Sequence, residues 1–195
     1  MFKGSKPFFA QNIRYNNIFR EAENRIMAMA LVHELLYNSD NIARIDFSVY
    51  VDKLVQNLYH IYRNQLERIQ LNISVSELEL GIDTAVPCGL LINEMLTNAV
   101  KHAFPDEMRG EVCIGLSNTP EGYIELIVRD NGIGISEAID IRNNKTMGLE
   151  LILGITEIQL GGKVELKNKE GTEIKVRFKP VKERRKDVGQ ESFNS

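Results

Sequence analysis

The residues best suited to chemistry lie in one predicted helix, INEMLTNAVKHAF. Glu94, Asn98 and Lys101/His102 fall at i, i+4 and i+7/i+8, so a carboxylate, an amide and a cation share one helical face. Leu91, Met95 and Ala99 lie on an adjacent face and can pack on a sheet. An amide and a carboxylate aimed into a pocket can ligate Mg²⁺, a hard ion that prefers oxygen and keeps waters and phosphate oxygens. A lysine one turn later can neutralise phosphate charge. Taken alone, this spacing suits a solvated helix face better than a ligand site.

Three further segments carry glycines where a backbone could approach a ligand. In Asp130-Asn131-Gly132-Ile133-Gly134, successive N–H groups can cradle an anion. Asn-Gly is also the commonest hairpin turn signal, but no alternating strand follows it. The next residues, SEAIDI, read as a short helix or a loose loop. Thr146-Met147-Gly148-Leu149 opens a helix after a polar loop, and a helix N-terminus offers free N–H donors to phosphates. Gly171-Thr172 taken alone reads as a hairpin turn.

These segments need elements to hold them. Residues 1–12 carry no acidic group and read as an irregular lead. From Arg14 to Tyr37 the period is helical: Phe19, Ala22, Ile26, Met29, His33 and Leu36 form a coiled-coil-type seam. Ala28, Leu31, Val32 and Leu35 form a second stripe, so this helix wants more than one partner. Asn38–Asn41 is a cluster of turn formers. Asp46 can cap a second helix, with Tyr50, Leu54, Leu58, Ile61 and Tyr62 on one face. Ile69, Leu71, Ile73 and Val75 alternate with polar residues, giving a half-buried strand. Pro87 suits the first turn of a helix running to about Ala103 and closed by Pro105.

Strands follow at about Glu111–Ser117 and Tyr123–Val128. A helix from about Gly148 to Leu160 ends at Gly161-Gly162. Lys163–Lys167 and Glu173–Phe178 form a hairpin, and a polar tail reads as solvated. The order predicts an α/β sandwich, a mixed or antiparallel sheet with helices on one face, preceded by a helical pair. The domain limits expected are a lead at 1–12, helices and linker at 13–66, a sandwich domain at 67–180 and a tail at 181–195.

Composition narrows the class. The 195 residues, 43% apolar and 26% charged, suffice for a core without a disulfide or metal staple. A net charge of −3 and a pI near 5.7 argue against general nucleic-acid binding. No stretch is apolar for long enough to span a bilayer, and the N-terminus lacks a secretory h-region. Cys88 and Cys113 stand alone, without metal-ligand spacing, and read as buried free thiols suited to a reducing cytoplasm.

The order of the four chemical segments changes their weight. A Glu-x-x-x-Asn-x-x-Lys-His helix, Asp-x-Gly-x-Gly after a strand, a polar loop with Gly opening a helix, and Gly-Thr in the last hairpin form a four-part pattern. Over roughly 69–179 the chain resembles the nucleotide-binding domain of the Bergerat-fold ATPases: gyrase-type ATPases, Hsp90-type chaperones, MutL-type proteins and histidine kinases. The stretches IDTAVPCGLLINEMLTNAVKHAF and NRIMAMALVHELLYNSDNIARIDFSVYVDKL resemble one subgroup of sensor histidine kinases more finely. In that subgroup the acceptor box reads His-His-Arg-Val-Lys-Asn-Asn.

The resemblance implies ATP and Mg²⁺ as ligands. Asn98 would ligate Mg²⁺, and Asp130 would accept from the adenine exocyclic amine. Gly132 and Gly134 would shape the adenine pocket, with Thr172 beneath it. Lys101 and His102 would lie near the phosphates, and 135–147 would be the lid. Gly148, followed by Leu149, would start the helix facing the phosphates. Glu94, with Lys101 one of the two catalytic candidates, would polarise the attacking group or support the metal. It further implies a response regulator as partner, a homodimer in the intact protein and a cytoplasmic setting, with no nucleic acid and no membrane segment in this chain.

Two departures stand out. Thr146 occupies a position that most such kinases fill with glycine. No His-His-Arg string occurs in the sequence, so the phosphoacceptor is expected to be missing. His33-Glu34 imitates an acceptor dipeptide, but its seam position predicts a half-buried bundle histidine. His60 reads as a plain surface or packing residue. An anti-sigma-type serine kinase and a degenerate kinase acting as a docking module are the alternative functions.

Overall fold

The computed structural model describes residues 6–38, 44–135 and 147–181. Helix α1 runs over Lys6–Asn38, so residues 6–12 are helical rather than an irregular lead. Pro7 is its second residue, where a missing N–H costs nothing, and neither Gly nor Pro interrupts it afterwards. Of the lid expected at 135–147, residues 136–146 lie outside the described residues, as does the tail beyond 181.

The two stripes of α1 have opposite fates. Ala28, Leu31, Val32 and Leu36 are buried in the main core, with Leu35 packed against it. Burial of Leu31, Val32 and Leu36 contributes about 1.5–3 kcal/mol each. The other stripe faces out over Phe19, Ala22 and Ile26, with Phe19 67% and Ile26 62% exposed, and turns inward at Leu36. His33, expected to be half-buried, is exposed for the same reason.

Strand β1 (Arg44–Asp46) pairs antiparallel with β3 (Glu79–Gly81). Three residues are too few for a readable period, so neither strand was expected. Helix α2 (Phe47–Ile61) starts where the Asp46 carboxylate accepts from the Ser48 N–H at 2.9 Å. Tyr50, Leu54 and Leu58 are buried on its inner face. A short helix α3 (Arg63–Leu66) leads into β2 (Ile69–Val75).

Helix α4 (Ile82–Asn98) begins at Gly81, in extended backbone, and carries Asp83 in its first turn. Pro87 is therefore its sixth residue rather than part of its first turn. The helix start is fixed by the end of β3, and proline forfeits one rung instead. The chain continues without a break into a π-helical turn, Ala99–Ala103. Helix α5 (Met147–Leu153) likewise passes into a π turn, Gly154–Gln159, before Gly161 at φ 58°.

The main sheet has the order β2-β4-β5-β7-β6, with β4 (Gly110–Asn118), β5 (Ile124–Asp130), β6 (Lys163–Lys167) and β7 (Glu173–Phe178). Only β2 and β4 run parallel, so the sheet is mixed. Val112, Ile114 and Leu116, Ile124, Leu126 and Val128, and Ile174, Val176 and Phe178 make the buried face. In register, Ile114 meets Val128 and Val128 meets Ile174, while Leu116 meets Leu126 and Leu126 meets Val176. The other face carries cross-strand charges such as Lys175 and Glu125, 3.4 Å apart. Helices thus cover one face, as an α/β sandwich requires.

One contact bolts α1, α2 and α4 together. The Tyr50 hydroxyl donates to the Ala28 carbonyl at 3.1 Å, and its ring crosses Gly89. A Cβ at Gly89 would stand 2.1 Å from the Tyr50 oxygen. Gly89→Ala should therefore destabilise the chain by about 1–3 kcal/mol, as overpacking does, read as a lowered urea midpoint. An unchanged midpoint would show that Tyr50 swings aside freely.

Candidate functional site

The inner face of the sheet continues past its apolar residues. On β5 the period of two runs Ile124, Leu126, Val128 and then Asp130. On β7, carried backwards, it reaches Thr172. The Asp130 N–H donates to the Thr172 carbonyl at 2.9 Å. Asp130 Oδ1 accepts from the N–H groups of Thr172 at 3.1 Å and Gly132 at 2.9 Å. Asp130 is thereby held, buried, beneath the helices. Gly171 makes the approach possible: its φ is 104°, and a Cβ would stand 2.1 Å from the Asp130 carbonyl oxygen.

Above Asp130 lies a cavity of about 460 Å³. Glu94, Asn98, Lys101 and His102 line it from α4 and its π turn, and Asp130 and Thr172 from the sheet. Gly134, Gly148 and Leu149 complete the set that the sequence singles out, with Met95, Ile133 and Ile174 as apolar wall. Gly132 is not among the lining residues. It backs the wall, where a Cβ would stand 2.2 Å from the Ala103 carbonyl oxygen. That carbonyl accepts from the Ile133 N–H at 2.9 Å, tying the loop to the π turn. At Gly148 a Cβ would meet Glu94 Oε2 at 3.2 Å and both Asn98 amide atoms at 3.4 Å, so the start of α5 closes on the polar stripe.

Three contributors escaped the sequence reading. Asn168 clamps the loop at Ile135, accepting from its N–H at 2.8 Å and donating to its carbonyl. Arg25 and Glu21 of α1 also line the cavity. Arg25 Nε and Nη2 donate to the two oxygens of Glu94, each at 2.8 Å. Lys101 Nζ pairs with Glu21 at 2.8 Å and lies 5.7 Å from the centre of the Tyr62 ring. A readable signal existed: Glu21, Arg25, Ala28 and Val32 share one stripe, so charges continue a face that is elsewhere buried.

His33 and His60 are exposed and absent from the cavity lining. The acid beside His33, Glu34, pairs with Lys53 at 2.8 Å. Among the described residues, no three His, Cys, Asp or Glu side chains converge as a metal cage. The donor set suits an ion that arrives with phosphate oxygens and takes one amide oxygen from the protein, as Mg²⁺ does. Burial pushes the Cys88 thiol far up; Cys113, expected to be buried, is only partly so, and partial desolvation and a bond to Glu111 raise its thiol, so neither is a ready nucleophile.

This is the architecture of an ATP-binding α/β sandwich with a helical arm. Residues 84–182 match the family model for histidine kinase-, DNA gyrase B- and HSP90-like ATPases, and residues 9–62 match a histidine kinase model. The chain belongs to that ATPase family, in its histidine kinase branch. It is 25% identical over 164 residues to the sensor histidine kinase PdtaS of Mycobacterium tuberculosis, covering 80% of this chain and 31% of that protein. Blue-light-activated histidine kinase 2 of Erythrobacter litoralis is 29% identical over 127 residues, covering 61% and 36%. The chain thus spans about a third of the length of these relatives. The histidine kinase domain of a blue-light-activated kinase from Erythrobacter litoralis superposes with a TM-score of 0.72 at 24% identity, covering 81% of this chain and 74% of that one. No helix among the described residues is long and apolar enough to cross a membrane.

Partial burial, and then the neighbouring Lys101 cation, hold the His102 imidazole below its ordinary pKa, with Glu21 opposing. The native state therefore binds that proton less readily than the unfolded chain does. Acidification from about pH 7.5 to about pH 5 should protonate the unfolded chain first and lower stability. His102→Gln should flatten that part of the profile in urea unfolding. An identical slope in the variant would contradict this assignment.

Proposed function

We propose that the chain is the ATP-binding catalytic part of a sensor histidine kinase, transferring the ATP γ-phosphoryl group to a histidine in two-component signalling. One observation carries this reading: the Asp130–Thr172 pair, the Glu94–Asn98–Lys101 stripe and the Gly148 helix start all border one cavity. Asp130 Oδ1 is engaged by backbone donors, which leaves Oδ2 to accept from an adenine amine. Met95, Ile133 and Ile174 supply apolar contact for the ring. Asn98 would offer its amide oxygen to Mg²⁺, which would neutralise phosphate charge. Lys101 and His102 stand at the phosphate end with the start of α5. Phosphoryl transfer needs mainly positioning and charge neutralisation, and these residues provide both. Glu94, gripped by Arg25 through both oxygens beside Asn98, stands where a carboxylate can polarise the attacking group.

The intact protein works as a homodimer and passes phosphate to a response regulator on this reading. The exposed seam of Phe19 and Ile26 supports the dimer. Ile26→Glu should hold the chain monomeric in sedimentation at concentrations where the wild type associates; equal behaviour of the two counts against a seam dimer. An anti-sigma-type serine kinase has less support, because residues 9–62 match a histidine kinase model.

Calorimetry with Mg-ATP tests the site. The wild-type chain should bind, and Asp130→Asn should weaken binding by about tenfold or more, as loss of a charge-assisted acceptor does. Absence of wild-type binding rejects the site. Acid-labile phosphate should not accumulate on the purified chain; its appearance, and its loss in His33→Gln, would make His33 the acceptor.

A further inference from the structure

The polar wall of the cavity is built from two helices. Glu94 is 4% exposed and lies against Asn98 and Gly148, at the end assigned above to phosphate. Its own helix gives it only the Asn93 amide, at 3.4 Å. Charge compensation comes from α1: Arg25 grips both carboxylate oxygens at 2.8 Å, with only 19% of its side chain exposed. The third nitrogen of the fork, Nη1, reaches Met147 Sδ at 3.5 Å. Arg25 therefore touches the helix that carries Asn98 and the residue that opens α5.

A carboxylate so placed opposes a polyanion. Bare, it would repel phosphates brought to Asn98, in surroundings where little solvent screens it. Paired in a bidentate fork, it presents a neutral unit. We infer that Arg25 of α1 is a positioning residue of the nucleotide site, which by holding Glu94 as a neutral pair admits the polyphosphate of a nucleoside triphosphate. The docking of α1 on α4 is then part of nucleotide affinity, and α1 senses the phosphate end but not the base end of the ligand. This rests on the nucleotide reading of the cavity proposed above.

The test compares two ligands that differ only in phosphate. The full chain is titrated with the fluorescent trinitrophenyl derivatives of ATP, with Mg²⁺, and of adenosine. Arg25→Ala should weaken the triphosphate by about tenfold or more, as truncation of one partner of a buried charge pair does, and leave the nucleoside within about twofold. Adding Glu94→Gln to Arg25→Ala removes the stranded charge and should return the triphosphate to within about threefold of wild type. Arg25→Lys, a single-point cation, should fall between. Equal loss of both ligands would make Arg25 a merely structural residue and overturn the inference. Unchanged triphosphate affinity in Arg25→Ala would overturn it as well. Failure of Glu94→Gln to rescue would mean that Arg25 acts by touching phosphate itself, which also overturns it. Binding of neither ligand by the wild-type chain would instead reject the nucleotide reading, and this inference with it.

Discussion

A carboxylate under two helices cannot be left alone, and the placement of α1 follows from that constraint. Glu94 sits on α4, between the sheet and α1, where water cannot serve it. The answer is a crossed pair of ion pairs: Arg25 takes Glu94, and Glu21, one turn earlier, takes Lys101, one turn and three residues after Glu94. Number rises along α1 as it falls along α4, so the helices pass antiparallel where they meet. A slip of α1 by one residue would offer Ala22 and Ile26 to Lys101 and Glu94. Partly buried ion pairs of this kind add little net stability, because desolvation offsets attraction. Their use here is to fix which of several apolar arrangements α1 adopts.

Apolar packing then fills in around that register. Leu31, Val32 and Leu36 extend the contact away from the cavity, and the Tyr50 hydroxyl reaches the Ala28 carbonyl across Gly89. Tyr62 marks the other flank: it accepts from the Asn24 amide at 2.9 Å and lies beneath Lys101 and Arg20. The helical arm and the sandwich therefore share one core, and the cavity has walls from both.

Much of this was legible in the residues, for identifiable reasons. Strands β4 to β7 show an unbroken alternation over five to nine residues, which local chemistry enforces. The Glu94, Asn98, Lys101 spacing gave a common face because a helix imposes it. Asp46 announced its cap. What escaped depended on partners distant in sequence. Nothing local marks β1, which exists because β3 lies beside it, or moves the start of α4 ahead of Pro87. The seam of Phe19 and Ile26 and the stripe of Ala28 and Val32 are equally apolar, and only the positions of α2 and α4 decide which is covered. Gly132 and Gly134 sit two residues apart in one motif. Yet one backs onto Ala103 and the other opens onto the cavity, a difference set by where α4 ends.

That end is a π turn. Over Ala99–Ala103 the helix holds an extra residue within the rise of an ordinary turn, and the extra residue swings Lys101 and His102 through part of a rotation about the axis. Length and orientation are thus uncoupled at this point. A chain one residue shorter here could wind as a plain α-helix, deliver Phe104 and Pro105 to the same places and preserve every strand pairing beyond them. It would nevertheless aim its lysine elsewhere, away from Glu21. Among relatives that align with a single gap in this turn, the gap rather than any substitution would decide which cation faces the cavity.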